Sequence, residues 1–265
     1  MIGIGATLFK VPTMHGSRAA AFNPATLFAS GEEGAWYDPS DLTTLFQNSD
    51  GTTAVAVGDP VGYMGDKSGN GNHAIQATSD KRPILRQSGS LYYLEYDGAN
   101  DCLATSAIDF TGTDEMTIFT GAKKIANSTM VLAELATSVG AVYGAFRLAS
   151  LSNVWRWSTR GNGLTVNVNA STYGANSTSV ITAISDISTP VATIRVDGVQ
   201  KATSSTSQGS GNFGNHVLNV GARNNGATLQ LDGHIYGMIV RAATSSSEEI
   251  SSTEAYMATK TGVTL

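Results

Sequence analysis

The chain has 265 residues, 41% of them apolar and only 14% charged, so it can bury a sizeable core, and intrinsic disorder, which shows the reverse balance, is excluded. A formal net charge of −5 argues against a nucleic-acid binder, whose phosphate contacts need a basic field. The single cysteine, Cys102, excludes an intrachain disulfide framework and a multi-cysteine metal site, and no apolar run reaches the roughly 18 residues of a membrane-spanning helix.

Residues 1–21 read as an arm rather than a domain. MIGIGATLFKVP lacks the basic start and long apolar stretch of a secretory signal, so synthesis in the cytoplasm is expected. The arm is expected either to be gripped by a partner or to pack along its own domain. Residues 22–47 read as single helical turns, because Asn23-Pro24 and Asp38-Pro39 each place a capping side chain before a proline. Turn residues crowd the stretch from Asp50 to Asn72, as SDG, GDP and GDKSGNGN.

From Ser90 onward the period is two. LYYLEY alternates and ends at the turn pair Asp97-Gly98. MTIFTGAKK sets Met116 and Ile118 on one face and Phe119 on the other. GAFRLAS, NVWRWST and GLTVNVNA follow, the last with Leu164, Val166 and Val168 on one face and Thr165, Asn167 and Asn169 on the other. Such alternation marks a sheet buried on one side and wet on the other. IRVDGVQ is a hairpin signal at Asp197-Gly198, and HVLNVGA and DGHIYGMIVRA close the series. Many strands with frequent turns predict a two-sheet antiparallel sandwich. The tail differs. Serines precede Glu248 and Glu249 at capping-box spacing and Gly262 supplies a stop, so a short helix is predicted near Glu248 to Lys260, with Ile250 and Met257 facing inward.

YDGANDCLAT followed by MTIFTGAKK resembles the early strands of the concanavalin A-like, laminin-G-like jelly rolls. IRVDGVQ and LNVGARNNGATLQLDGHIYGMIVRAATSSSEEI resemble their later ones, with Asp197-Gly198, Val220-Gly221 and Asp232-Gly233-His234-Ile235 in the matching places. The segment from GAWYDPSDL to DKRPIL looks like the leader of jelly-roll proteins of tailed bacteriophages. The resemblance covers roughly residues 22 to 265. It implies an all-β jelly-roll sandwich over 22–265, with 22–85 as its leader and 1–21 as a docking arm. It also implies a non-enzymatic virion component at a tail tip, tail fibre or head spike, with a lectin-like domain for host glycan. Its partners would be other virion proteins met through the arm, and homo-oligomerisation, as a trimer, would go with that role. Two other functions remain open: a capsid or tail decoration protein that binds no sugar, and a glycan hydrolase with an unfamiliar acid pair.

The fold hosts several activities, so function has to come from a site. A hydrolase needs two carboxyl groups at a set separation. The E-x-D-x-x-E strand expected of such enzymes is missing, and Glu95 and Glu134 stand alone. His15, His73, His216 and His234 are scattered, and no G-x-S-x-G turn occurs. Asp66, Ser68, Asn70 and Gly71 match the first half of a calcium loop, but the closing acid falls at Ala77; a turn tied by Asp and Asn side chains is the simpler account. Gly209 to Gly214 match G-x-G-x-x-G but precede a strand, which fails the dinucleotide context, so no cofactor is expected.

The ligand candidates are aromatic and amide residues. Trp155 and Trp157 lie two apart on one strand and share a face. That face is either core or a platform on which a sugar stacks, with Arg156, Arg160, Asn162 and Tyr173 nearby to read hydroxyls. Asn224 and Asn225 lie in a loop between strands. They are either a second ligand candidate or a plain Asn-Gly hairpin at Asn225-Gly226.

Overall fold

The computed structural model describes residues 22–265; the N-terminal arm lies outside the described residues. The chain opens with a single 3-10 turn, Pro24–Phe28, whose start is capped as the Asn-Pro pair predicts: Ala25 N donates to Asn23 Oδ1 at 3.1 Å. Strands follow: β1 (Gly34–Tyr37), β2 (Leu45–Phe46), β3 (Tyr63–Met64), β4 (Ala74–Ile75), β5 (Ile84–Ser88), β6 (Leu91–Asp97) and β7 (Leu103–Asp109). Next are β8 (Glu115–Lys124), β9 (Met130–Leu135), β10 (Ala145–Leu151), β11 (Val154–Arg160), β12 (Val166–Ser171) and β13 (Thr178–Asp186). The last are β14 (Val191–Val196), β15 (Val199–Ser204), β16 (Asn215–Val220) and β17 (Asp232–Arg241), before the helix α1 (Ser247–Thr261).

These strands form two antiparallel sheets. One runs β15-β14-β13-β8-β17-β6-β5, with β1 also paired to β17. The other runs β12-β11-β10-β9-β16-β7-β4-β3-β2. The architecture is the predicted two-sheet jelly-roll sandwich with a C-terminal helix. Its core lies between the sheets, where alternate residues such as Leu94, Met116, Ile118, Phe146, Leu148, Ile181, Ile194 and Met238 interdigitate.

The centre of the first sheet, at β8, β13 and β17, is buried on both faces. Phe119, Val180 and Ile239 point away from the main core and meet Met257 of α1, together with Trp36, Leu27 and Phe28. This double burial explains why β8 and β17 are apolar almost throughout. Gly121 permits the approach, since a Cβ there would overlap the Thr261 side chain. Glu254 pins the helix: it accepts from Arg195 Nε at 2.7 Å, Arg195 Nη2 at 3.0 Å and Thr182 Oγ1 at 2.9 Å. The capping box is present on Ser246 and Glu249, and Gly262 ends the helix with φ 74°. Met257 is buried as expected, while Ile250 is only half-buried.

Asp38-Pro39 opens a single turn as its cap predicts: Asp41 N donates to Asp38 O at 3.0 Å and Ser40 N to Asp38 Oδ1 at 3.0 Å. The Asp38 carboxylate also accepts from Ser40 Oγ, Tyr256 and Lys260. Two local expectations fail. Gly34–Tyr37, inside the stretch read as helical turns, pairs with β17 as β1. Leu164 does not join the inward face of Val166 and Val168: the strand begins at Val166, and Leu164 is 81% exposed on the preceding turn.

Candidate functional site

Among the described residues no helix lies over the second sheet, so its outer face is covered only by loops, beneath which Ser158, Glu134 and Asn219 are buried. The sheet register draws one row across it. Asn167 lies opposite Ser158, Ser158 opposite Arg147, Arg147 opposite Glu134, and Glu134 opposite Asn219. The row continues through Ala104, Ile75, Tyr63 and Phe46. With strands about 4.8 Å apart, nine of them carry this row over roughly 40 Å.

A groove of about 560 Å³ opens over β7 and β16. Its floor is small and apolar: Ala104, Ala107 and Ala136, with Val217 beside them. Its rim is amide-rich: Asn215, Asn224 and Asn225, with Thr137 and His216. Asn219, buried beneath, organises the rim. Its Nδ2 donates to Ala136 O at 3.1 Å, and its Oδ1 accepts from Asn225 N at 2.8 Å. Asn224, Asn225 and Gly226 all take left-handed φ values, 49°, 52° and 82°. Asparagine and glycine tolerate that conformation best, which is why the tight turn can present two amides to the groove. Gln76 Nε2 donates to Asn225 Oδ1 at 3.1 Å and steadies it, while Asn224 stays exposed.

Next to the groove sits a buried ion pair. Glu134, fully buried, accepts from Arg223 Nε at 2.8 Å and Nη2 at 2.9 Å, and from Val139 N at 2.8 Å. Both carboxylate oxygens are thereby committed. Arg147 lies directly opposite Glu134 in the sheet, yet its Nε has no hydrogen-bond partner among the described residues. Burial holds Arg147 below the usual arginine range, despite the nearby Glu134 charge.

The remaining candidates are dispersed. Trp155 and Trp157 face the core and are both completely buried, so no indole face is open to a sugar. Trp157 packs on Phe146 with ring centroids 5.4 Å apart, and Trp155 Nε1 donates to Ser179 Oγ at 3.3 Å. The Trp155 ring also lies 4.9 Å from Lys124 Nζ, an ammonium that burial holds down to about 8. Arg160 is on the open face, where its guanidinium bonds Gly163 O and Gly140 O and stacks on Tyr143. Asn162 is locked to Ser210, donating to its Oγ at 2.8 Å and accepting from its N at 2.7 Å. Tyr173 packs against the core beyond the other end of β11, and its N donates to Asn153 O. A seven-residue strand, about 20 Å long, separates it from Arg160, so these residues do not form one site.

Asp66 is the hub of its loop. Its Oδ1 accepts from Trp36 N and Ser68 N, both at 2.8 Å, and its Oδ2 from Ser68 Oγ at 2.7 Å and Asn72 N at 2.9 Å. Asn70 points its Nδ2, not its oxygen, into the turn, toward Glu32 O and Gly34 O. The oxygens that a calcium ion would need are thus engaged by N–H and O–H donors. Glu95 and Glu134 sit on different sheets, each against an arginine, Arg86 and Arg223 respectively. They cannot flank one glycosidic bond. The histidines are apart as well. His73 accepts from Asp66 N, His216 meets Tyr143 O, and His234 stacks on Tyr93 with centroids 4.1 Å apart. His15 lies outside the described residues.

Sequence reasoning reached Asn224 and Asn225 but missed Asn219, Arg147, Arg223 and the alanine floor. The usable signal was the polar half of each alternating strand. Once the tryptophans are core, Arg156 and Ser158 must face out, and their cross-strand neighbours with them.

No protein-family model matches the chain, and no curated protein matches it. Solved structures do. The binding domain of botulinum neurotoxin serotype G is similar with a TM-score of 0.56 at 13% identity, over 74% of this chain and 49% of that one. The binding domain of botulinum neurotoxin serotype D gives 0.55 at 12%, over 87% and 52%. The binding domain of Paraclostridial Mosquitocidal Protein 1 gives 0.54 at 12%, over 74% and 49%. The chain therefore spans about half the length of these structures. At such identities the likeness is one of fold.

Proposed function

We propose that this chain is a non-enzymatic recognition module that binds glycan on its open sheet and is carried on a tailed-phage virion. The observation that carries the binding role is the groove over β7 and β16. A sugar ring offers apolar C–H faces and a fringe of hydroxyls. The alanine floor suits the first, and side-chain amides, which both donate and accept, suit the second. Fold neighbours named as binding domains favour recognition over catalysis. So does the separation of Glu95 from Glu134. The virion setting rests on the leader-like segment over 22–85 and on residues 1–21 acting as a docking arm, with assembly as a trimer.

Two experiments test the two halves. The full chain is screened against immobilised oligosaccharides, alongside Ala107→Trp, which fills the groove floor at an exposed position. Binding that vanishes in the variant while the melting temperature holds supports the groove; binding indifferent to the substitution removes it. A chain lacking residues 1–21 is then offered to assembling particles. Normal incorporation would end the docking role. Incorporation of the full chain with no glycan bound by it would favour the decoration protein.

A further inference from the structure

We infer that the glycan bound on the open sheet is an acidic one, and that Arg147 reads its negative group. This deepens the glycan reading and rests on it. The chain carries 16 basic and 21 acidic side chains, yet the outer face of β9 to β12 inverts that balance. Outward positions hold Arg147, Arg156 and Arg160, and Arg223 reaches in from the loop after β16. The acidic partner on this stretch is Glu134, and Arg223 and Val139 N consume both its oxygens.

The other three arginines have no carboxylate partner among the described residues. Arg156 donates to an amide oxygen, Asn169 Oδ1, and Arg160 to backbone carbonyls. Arg147 is the least satisfied. It lies between Ser158 and Glu134 in the row, its Nε unpartnered and two more guanidinium charges close by. An arginine fork held there by packing is preorganised for two-point contact with a planar or tetrahedral oxyanion. Arg147 is two strand spacings, about 10 Å, from Asn219, the buried amide that holds the exposed Asn224-Asn225 turn, so a sugar chain lying across the strands runs from the guanidinium to those amides. A carboxylate of an acidic sugar and a sulfate ester share this chemistry.

The test uses the full chain and isothermal titration with defined probes: a hyaluronan tetrasaccharide for carboxylate, a desulfated and a sulfated chondroitin tetrasaccharide, maltotetraose as a neutral sugar, and a thymidine oligonucleotide. Acidic probes are expected to bind at least about tenfold more tightly than maltotetraose, an advantage that added salt erodes. Arg147→Gln should remove that preference. Arg156→Gln, at a more open position, should reduce it in part and guards against a folding defect in the first variant. The chondroitin pair tells carboxylate from sulfate. Equal binding of neutral and acidic probes, indifferent to Arg147→Gln, overturns the acidic-ligand inference and leaves the glycan reading standing. Binding of no oligosaccharide removes the glycan reading and the inference with it. An oligonucleotide that binds as well as the acidic sugars shows a general polyanion surface and overturns the inference.

Discussion

Removing Arg223 tests how far the ion pair beside the groove is shielded from water. Glu134 is fully buried and Arg223 is 21% exposed at the side chain. In Arg223→Ala the carboxylate keeps one donor, Val139 N, and loses two. Stripping one partner from a buried pair costs about 3–5 kcal/mol. The lower end applies here, about 3 kcal/mol, because Arg223 is partly hydrated and Arg147 stands opposite to supply some compensation. For a domain of this size each kcal/mol moves the melting temperature by about 2–4 °C, so a drop of roughly 6–12 °C is expected. Urea unfolding with an unchanged m-value is the assay. Adding Glu134→Gln to Arg223→Ala should restore part of the loss, since the stranded charge is then gone. A loss below about 1 kcal/mol, the worth of a surface pair, or a double variant that only adds the two costs, would refute the shielding.

Three further outcomes follow from the packing. Trp157→Ala should cost about 3–5 kcal/mol in denaturant unfolding, as a core truncation does; a stable variant with altered glycan affinity would return Trp157 to the surface. Gly121→Ala should cost about 1–3 kcal/mol and loosen α1, read as faster amide exchange in the helix; unchanged exchange would deny the close approach. Lys124 gives a pH signature. Its folded value of about 8 lies below the unfolded one, so the unfolded chain binds more protons and stability rises with pH from about 8. The slope approaches about 1.4 kcal/mol per pH unit until, near pH 9, the Cys102 thiol, pushed up to about 12 by burial, begins to oppose it. Lys124→Met should flatten the rise between pH 8 and 9, and an unaltered slope would mean that the ammonium is hydrated.

The sandwich was legible because alternation is a local property: Val166, Val168 and Ala170 turn inward while Asn167 and Asn169 turn outward, as their order alone requires. The helix was legible to within a residue at each end from Ser246, Glu249 and Gly262. Asn23-Pro24 and Asp38-Pro39 marked their turns because a cap is a local signal, whereas β1 between them was missed because its pairing with β17 spans the length of the domain. The site was hardest for the same reason. Glu134 and Arg147 come from consecutive strands but Asn219 from one far along the chain, and only sheet register aligns the three. Trp155 and Trp157 caught the eye because an indole serves a core or a sugar equally well; the choice depends on which sheet face is covered, and α1 covers the other sheet.

That one-sided covering gives the domain a front and a rear. Phe22, where the described chain begins, touches Tyr256 on the helix, with ring centroids 6.4 Å apart. Phe22 therefore lies at the rear, on the side away from the arginine-bearing surface.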